Sequence, residues 1–226
     1  MATTVQSAQS QSATTPPPDE LRAVRRVLAW IKGNRRIAGA IAAVVVLGGG
    51  LAWWTLVSRN RVEAAAGERL GQARLAFESR NYPLAASELS QIVENYSGTR
   101  AAGQANLLLA QVRMYQGQAQ QAIDLLTRVA PSLGREFGAQ AHALLGAAYE
   151  NSGSWKQAAG AYEEASRRAQ FAFLRAQYLS DAARSWVTAG DTASGLKDYR
   201  AIVSGMDSTG SMMEAQVRIA ELTKGE

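Results

Sequence analysis

From Ile37 to Val57 the chain carries twenty-one consecutive residues without a charged side chain, IAGAIAAVVVLGGGLAWWTLV. After Arg59 the pattern changes to apolar residues recurring at helical spacing, broken by Gly, Asn and Pro, through to the C-terminus. A helix of the first length spans roughly 31 Å, the thickness of a bilayer's hydrocarbon core. The run has no polar face, as a buried helix of a water-soluble domain normally would. It therefore predicts one transmembrane helix, 37–57, followed by an all-α domain, 58–226.

The flanks orient the expected span. Arg22, Arg25, Arg26, Lys32, Arg35 and Arg36 precede it, and only Arg59 and Arg61 follow closely. That bias keeps the N-terminus in the cytoplasm and sends the C-terminal domain across. Arg25, Arg26, Arg35 and Arg36 are the expected headgroup contacts. Trp30 before the span and Trp53 and Trp54 at its outer end suit the interface, where indole rings prefer to lie. Ala64 and Ala66 form a small-x-small site, as in a cleaved signal peptide. The thirty-six residues ahead of the run, and its length, argue for an uncleaved anchor instead. Gly48 and Ala52 form a small-xxx-small pair, a weak indication of helix pairing.

Ahead of the span, residues 1–18 are polar and low in complexity, and close on three prolines. They lack the apolar surface needed to order themselves. Residues 19–36 place Leu21, Val24, Leu28 and Ile31 on one face, and Asp19 and Glu20 suit a helix N-terminus. They read either as a basic amphipathic helix on the cytoplasmic leaflet, ending near Gly33-Asn34, or as an extension of the span. The charge balance fits this division. Residues 1–57 carry six basic and two acidic side chains, whereas 58–226 carry eighteen and seventeen. The basic excess thus lies beside the membrane, and the large domain offers no stripe for nucleic acid. Without cysteine there are no disulfides, thiolate metal sites or acylated cysteine.

Four similar units follow the span. The clearest is HALLGAAYENSGSWKQAAGAYEEA, with Leu145-Gly146, Tyr149, Gly153, Trp155, Ala158, Tyr162 and Ala165. This spacing resembles the tetratricopeptide repeat. In that family the Leu-Gly pair and Tyr of helix A face helix B, and a Gly ends helix A. Two antiparallel helices approach closely where one presents Gly or Ala and the other a ring. A second unit carries Ala110, Gly117, Ala122 and Leu126. The first carries Ala73, Tyr82, Ala85 and Leu89, and the fourth Ala183, Trp186, Gly190, Gly195, Tyr199 and Ile202. In the first unit Arg80 stands at the helix-ending glycine position, so Asn81 is expected to make that turn, with Pro83 opening helix B. The equivalent small residues Ala85, Ala122, Ala158 and Gly195 lie 37, 36 and 37 residues apart. The family's usual period is about 34. The expected fold is a right-handed α-solenoid of four helix pairs plus a C-terminal cap bearing Met213, Val217 and Ala220. The first of its nine helices continues the span to Glu78.

No catalytic constellation stands out, so a non-enzyme without cofactor or metal is expected. His142 is the only histidine and reads as packing. No phosphate-binding glycine loop occurs; Gly48-Gly49-Gly50 lies inside the apolar run. Glu163-Glu164, Asp181 and Asp191 read as charges on exposed helix faces. The remaining candidate site is the inner face lined by helices A. The repeat register puts Arg74, Phe77, Gln111, Met114, Tyr115, Glu150, Asn151 and Arg184 there. Met and Tyr suit adaptable apolar contacts, and Gln, Asn and Arg can meet the backbone of an extended chain. The set lacks the lysine and asparagine pattern of repeats that clamp a C-terminal carboxylate.

The layout as a whole resembles the YfgM-type ancillary subunits of the bacterial Sec translocon. The matching features, in order, are DELRAVRRVLAWIKGNRR, a span ending in Trp53-Trp54, and RVEAAAGERLGQA. The resemblance implies a single-pass inner-membrane protein with a periplasmic domain, in contact with the translocon and with periplasmic chaperones or client chains. The competing expectation is a structural scaffold holding one folded partner in another envelope or bioenergetic complex.

Overall fold

The computed structural model describes Trp30 and residues 32–205 and 209–223; of residues 35–38, 40–45, 52 and 209 only the backbone is described. The tail 1–18, most of segment 19–36 with Arg25 and Arg26, and the Arg35 and Arg36 side chains lie outside that set. Among the described residues there are nine helices and no strands. They are α1 (Arg35–Glu78), α2 (Tyr82–Asn95), α3 (Arg100–Tyr115), α4 (Ala119–Val129) and α5 (Gly138–Asn151). After these come α6 (Trp155–Arg168), α7 (Ala172–Thr188), α8 (Thr192–Gly205) and α9 (Thr209–Thr223). Just before α1, the Asn34 N–H and side-chain amide both donate to the Trp30 carbonyl, at 2.9 and 3.2 Å.

The chain divides into two compact units, 1–58 and 59–226. In the first, Trp53 and Trp54 are exposed, as is Trp30. Among the described residues no helix is long and apolar enough to cross a membrane. The expected 37–57 span lies partly outside them, since most side chains of its first half are not described.

The second unit is a solenoid in which α2 to α9 each pack against the next, with α3 also touching α5 and α7 touching α9. Its core is mostly alanine, which lets helix axes come close. Ala66, Leu70, Ala73 and Ala76 of α1 share a cluster with Ala85, Ala86, Leu89 and Ile92 of α2. The aligned small residues occupy the joints as their spacing predicts: Ala85, Ala122 and Ala158 are wholly buried. A Cβ on Gly195 would fall 2.6 Å from Val187 Cγ2 and 2.9 Å from the Ala183 carbonyl oxygen. A Cβ on Gly146 would fall 2.8 Å from the Tyr162 ring. The residues beyond the usual period fall partly in helices A, α7 running to 17 residues, and partly in the connections between units, the longest joining α4 to α5.

Gly117, Gly153 and Gly190 end α3, α5 and α7 at φ of 73°, 75° and 83°, the left-handed conformation that favours glycine. The first repeat departs from expectation. Arg80 itself takes this conformation, at φ 59°. Asn81 instead caps α2, its side-chain oxygen accepting from the Leu84 N–H at 3.3 Å. The turn geometry demands the left-handed residue at that place in the loop, and the first repeat accepts the strain of a side chain there.

Candidate functional site

The residues projected onto the inner face divide into three groups. Arg74, Phe77 and Gln111 line a cavity of about 370 Å³ with Gln104, Leu108, Phe137 and Gln140, bounded by α1, α3 and α5. Gln111 also lines a second cavity, of about 520 Å³, with Met114, Tyr115 and Asn151, where Leu144 and Ala147 complete the wall. Along the rim the Tyr82 and Tyr115 rings stack with centroids 5.4 Å apart. Phe77 is tilted against both, at 6.0 and 5.7 Å. Tyr115 remains 63% exposed, so this aromatic edge is available to a partner. Arg74 donates to Gln104 Oε1 at 2.7 Å, which ties α1 to α3 across the floor.

Glu150 and Arg184 behave differently. Glu150 is drawn into the joint between α5, α6 and α7, and Arg184 pairs with it from the exposed face of α7. Glu150 accepts from the Tyr162 hydroxyl at 3.2 Å and the Ser185 hydroxyl at 2.9 Å, and pairs with Arg184 at 3.2 Å. Arg184 also donates to Asp181 at 3.0 Å. Burial first, then the Glu150 carboxylate, raises the Tyr162 hydroxyl above its ordinary range, so it stays protonated and donating. Burial likewise raises Asp181, against the opposing pull of Arg184.

The charges expected on exposed faces are mostly half-buried and engaged. Glu163 accepts from the Trp186 indole at 2.9 Å. Glu164 accepts from Arg167 and Arg168, each at 2.6 Å, and these two hold its carboxyl below the usual range. Asp191 caps α8, accepting from the Ser194 N–H at 3.0 Å. His142 is half-buried, its Nε2 without a partner, and burial with nearby Arg168 lowers its pKa. Among the described residues no group of three His, Asp or Glu side chains is placed to hold a metal.

The sequence projection missed Gln104, Leu108, Phe137 and Gln140, because it followed only the C-terminal halves of helices A. The signal was present. Gln104 and Gln140 each stand six residues before the small residue of their helix, Ala110 and Gly146, and so occupy one place in successive repeats.

Helix pairs joined by left-handed glycine turns, with a small residue seated against a ring, define a helical-repeat fold. The profile of the tetratricopeptide repeat-like domain matches residues 59–176, and the chain belongs to that family. Among solved structures it is similar to the putative kinesin light chain of Podosopora anserina with nearly identical TPR-like repeats. The TM-score is 0.57 at 17% identity, covering 72% of this chain and 87% of that one. A point variant of the same protein matches with the same score and coverage at 18% identity. These likenesses show the fold. No curated protein matches the chain.

Proposed function

We propose that the chain is a membrane-anchored protein-interaction module whose groove between α1, α3 and α5 receives extended segments of other proteins. The observation that carries this reading is the groove's composition. Packed aromatic rings with Tyr115 exposed stand at its rim, apolar side chains line its wall, and Gln104, Gln111 and Gln140 supply amide donors and acceptors. An extended chain brings unpaired backbone N–H and C=O groups that such amides satisfy. Membership of a tetratricopeptide repeat-like family supports an interaction role.

The uncharged run 37–57 and the arginine bias before it support an inner-membrane anchor with a periplasmic domain. Together with the juxtamembrane resemblance, they support placement beside the Sec translocon, handing emerging chains to periplasmic chaperones. Photo-crosslinkers test both parts. At Met114 and Tyr115 they should capture many secreted chains in transit, and at Ala38 or Ile41 a Sec membrane subunit. One stoichiometric folded partner at Tyr115, with no Sec component from the span, would replace this reading with the scaffold. Protease added to spheroplasts should digest residues 60–226 and spare the tail; a mature protein beginning near Gly67 would overturn the anchor.

A further inference from the structure

Away from that groove, where the α4–α5 connection meets the end of α6 and the start of α7, lies a cleft of about 650 Å³. Arg135, Arg167, Arg168 and Arg175 line it, and no carboxylate does. Glu164 answers Arg167 and Arg168 from α6, at 2.6 Å each. Arg135 and Arg175 make no ion pair among the described residues, and neighbouring Glu136 is taken by Arg100. Such a concentration of guanidinium groups is costly unless something anionic answers it, and its planar forks suit carboxylates.

The cleft is also built, not merely charged. Gly138 sits where a Cβ would lie 3.0 Å from the Leu133 carbonyl oxygen and 3.5 Å from Arg168 Nη1, so the Arg168 guanidinium packs on bare backbone. Gln170 Nε2 donates to the Arg135 carbonyl at 3.1 Å, and the Ser166 hydroxyl donates to the Arg175 carbonyl at 2.9 Å. These bonds hold the two unpaired arginines' backbones in place. The cleft then runs into another of about 410 Å³, which shares Arg135, Ala139, Ala169 and Gln170 with it and adds Phe171, Leu174 and Tyr178, together with Gln140 and the Arg100-paired Glu136. Phe171 and Phe173 stack at 5.8 Å and are 60% and 57% exposed.

We propose that this arginine-lined cleft is a second docking site, which takes an acidic segment of a protein partner and seats that segment's neighbouring apolar side chain beside Phe171. Charge complementarity names the acidic part, and Phe171, Leu174 and Tyr178 in the adjoining cleft name the rest. A bilayer fits less well: the cations surround a concavity, and two of them are tethered to Glu164. Nucleic acid fits less well still, because residues 58–226 carry eighteen basic against seventeen acidic side chains and no cationic stripe.

The test uses the full-length protein in detergent and a fluorescein-labelled peptide of alternating glutamate and phenylalanine, followed by anisotropy. Arg135→Ala with Arg175→Ala should keep the melting temperature, since neither side chain is paired, and weaken binding about tenfold or more. Arg128→Ala, at an exposed arginine elsewhere, should leave binding unchanged. Added salt should weaken binding, and glutamine in place of glutamate should abolish it. Equal binding by the double variant or by the glutamine peptide overturns the proposal. So does loss of binding in Tyr115→Asp, which would put the peptide in the other groove. Arginine-dependent flotation with anionic vesicles, without peptide binding, would assign the cleft to lipid and equally overturn it.

Discussion

The amino-terminal and carboxy-terminal repeats share one backbone plan but fill their joints with different chemistry. In the first two repeats the largest wholly buried side chains are Leu89, Ile92, Val112 and Leu126. In the last two Ile202 is wholly buried as well, but the joints also hold Tyr162, Glu150, Ser185 and Asp198. An aliphatic joint is stabilised by burial and tolerates changes of pH. A joint of buried polar groups fixes one relative position of its helices, because each group needs its partner, and it is exposed to any change that removes a partner or adds a charge. One period can therefore build a solenoid whose two halves respond differently to their surroundings.

The sharpest break in the comparison comes from bulk at the joints. Gly195→Leu should clash with Val187 and the Ala183 carbonyl and cost about 3 kcal/mol or more. Ala85→Val, at the equivalent place in the first repeat, should cost less, about 1–2 kcal/mol, since only two methyls must be accommodated. Thermal unfolding followed by circular dichroism compares the two, and equal losses would count against the joint geometry.

The polar joint itself is tested by Glu150→Ala, which strands the Tyr162 and Ser185 hydroxyls and should cost about 2–3 kcal/mol. Leu126→Ala in the aliphatic half should cost a similar amount through cavity formation. The two variants separate on a double-mutant cycle with Ser185→Ala, which should couple to Glu150 and not to Leu126.

Acidity divides the halves most selectively. Burial first, and the neighbouring Glu163 second, push Asp198 up to about 6. Lys197 and the Trp186 indole on Glu163 complete its surroundings. A carboxyl whose pKa is higher folded than unfolded binds more protons in the folded state between the two values. Its penalty is therefore full above about pH 6 and is relieved as pH falls toward 4. Asp198→Asn should raise stability by about 2 kcal/mol at neutral pH and confer little near pH 4. A constant difference across that window would remove Asp198 from the account.

Two smaller effects belong to the amino-terminal half. Glu63 of α1 accepts from the Arg100 and Ala101 N–H groups at 2.8 and 2.9 Å, adding a carboxylate to the Thr99 cap of α3. Glu63→Ala should cost about 1 kcal/mol, read from the urea midpoint. Arg80→Gly should relieve the left-handed turn and stabilise by about 0.5–1 kcal/mol after the added freedom of the unfolded chain is counted.

Local rules alone determined the helices, their order and their joints. Periodic apolar positions, glycine at the ends of helices A and a small residue 36 or 37 positions on are short-range signals, and α1 to α9 follow them. The same rules misplaced Arg80, where the loop's geometry prevailed over side-chain preference. They also placed Glu163 and Asp181 in solvent and could not foresee the partners of Glu150, because a projection around one helix cannot see what the next helix brings. Glu63 reaches α3 across thirty-seven residues, and Ser185 reaches Glu150 across thirty-five. The four arginines of the turn cleft come from the α4–α5 connection, the end of α6 and the start of α7. Helix formation is decided by neighbours in the chain. The partners of a charged side chain are decided by whichever helix packs against it, and only the assembled solenoid brings those helices together.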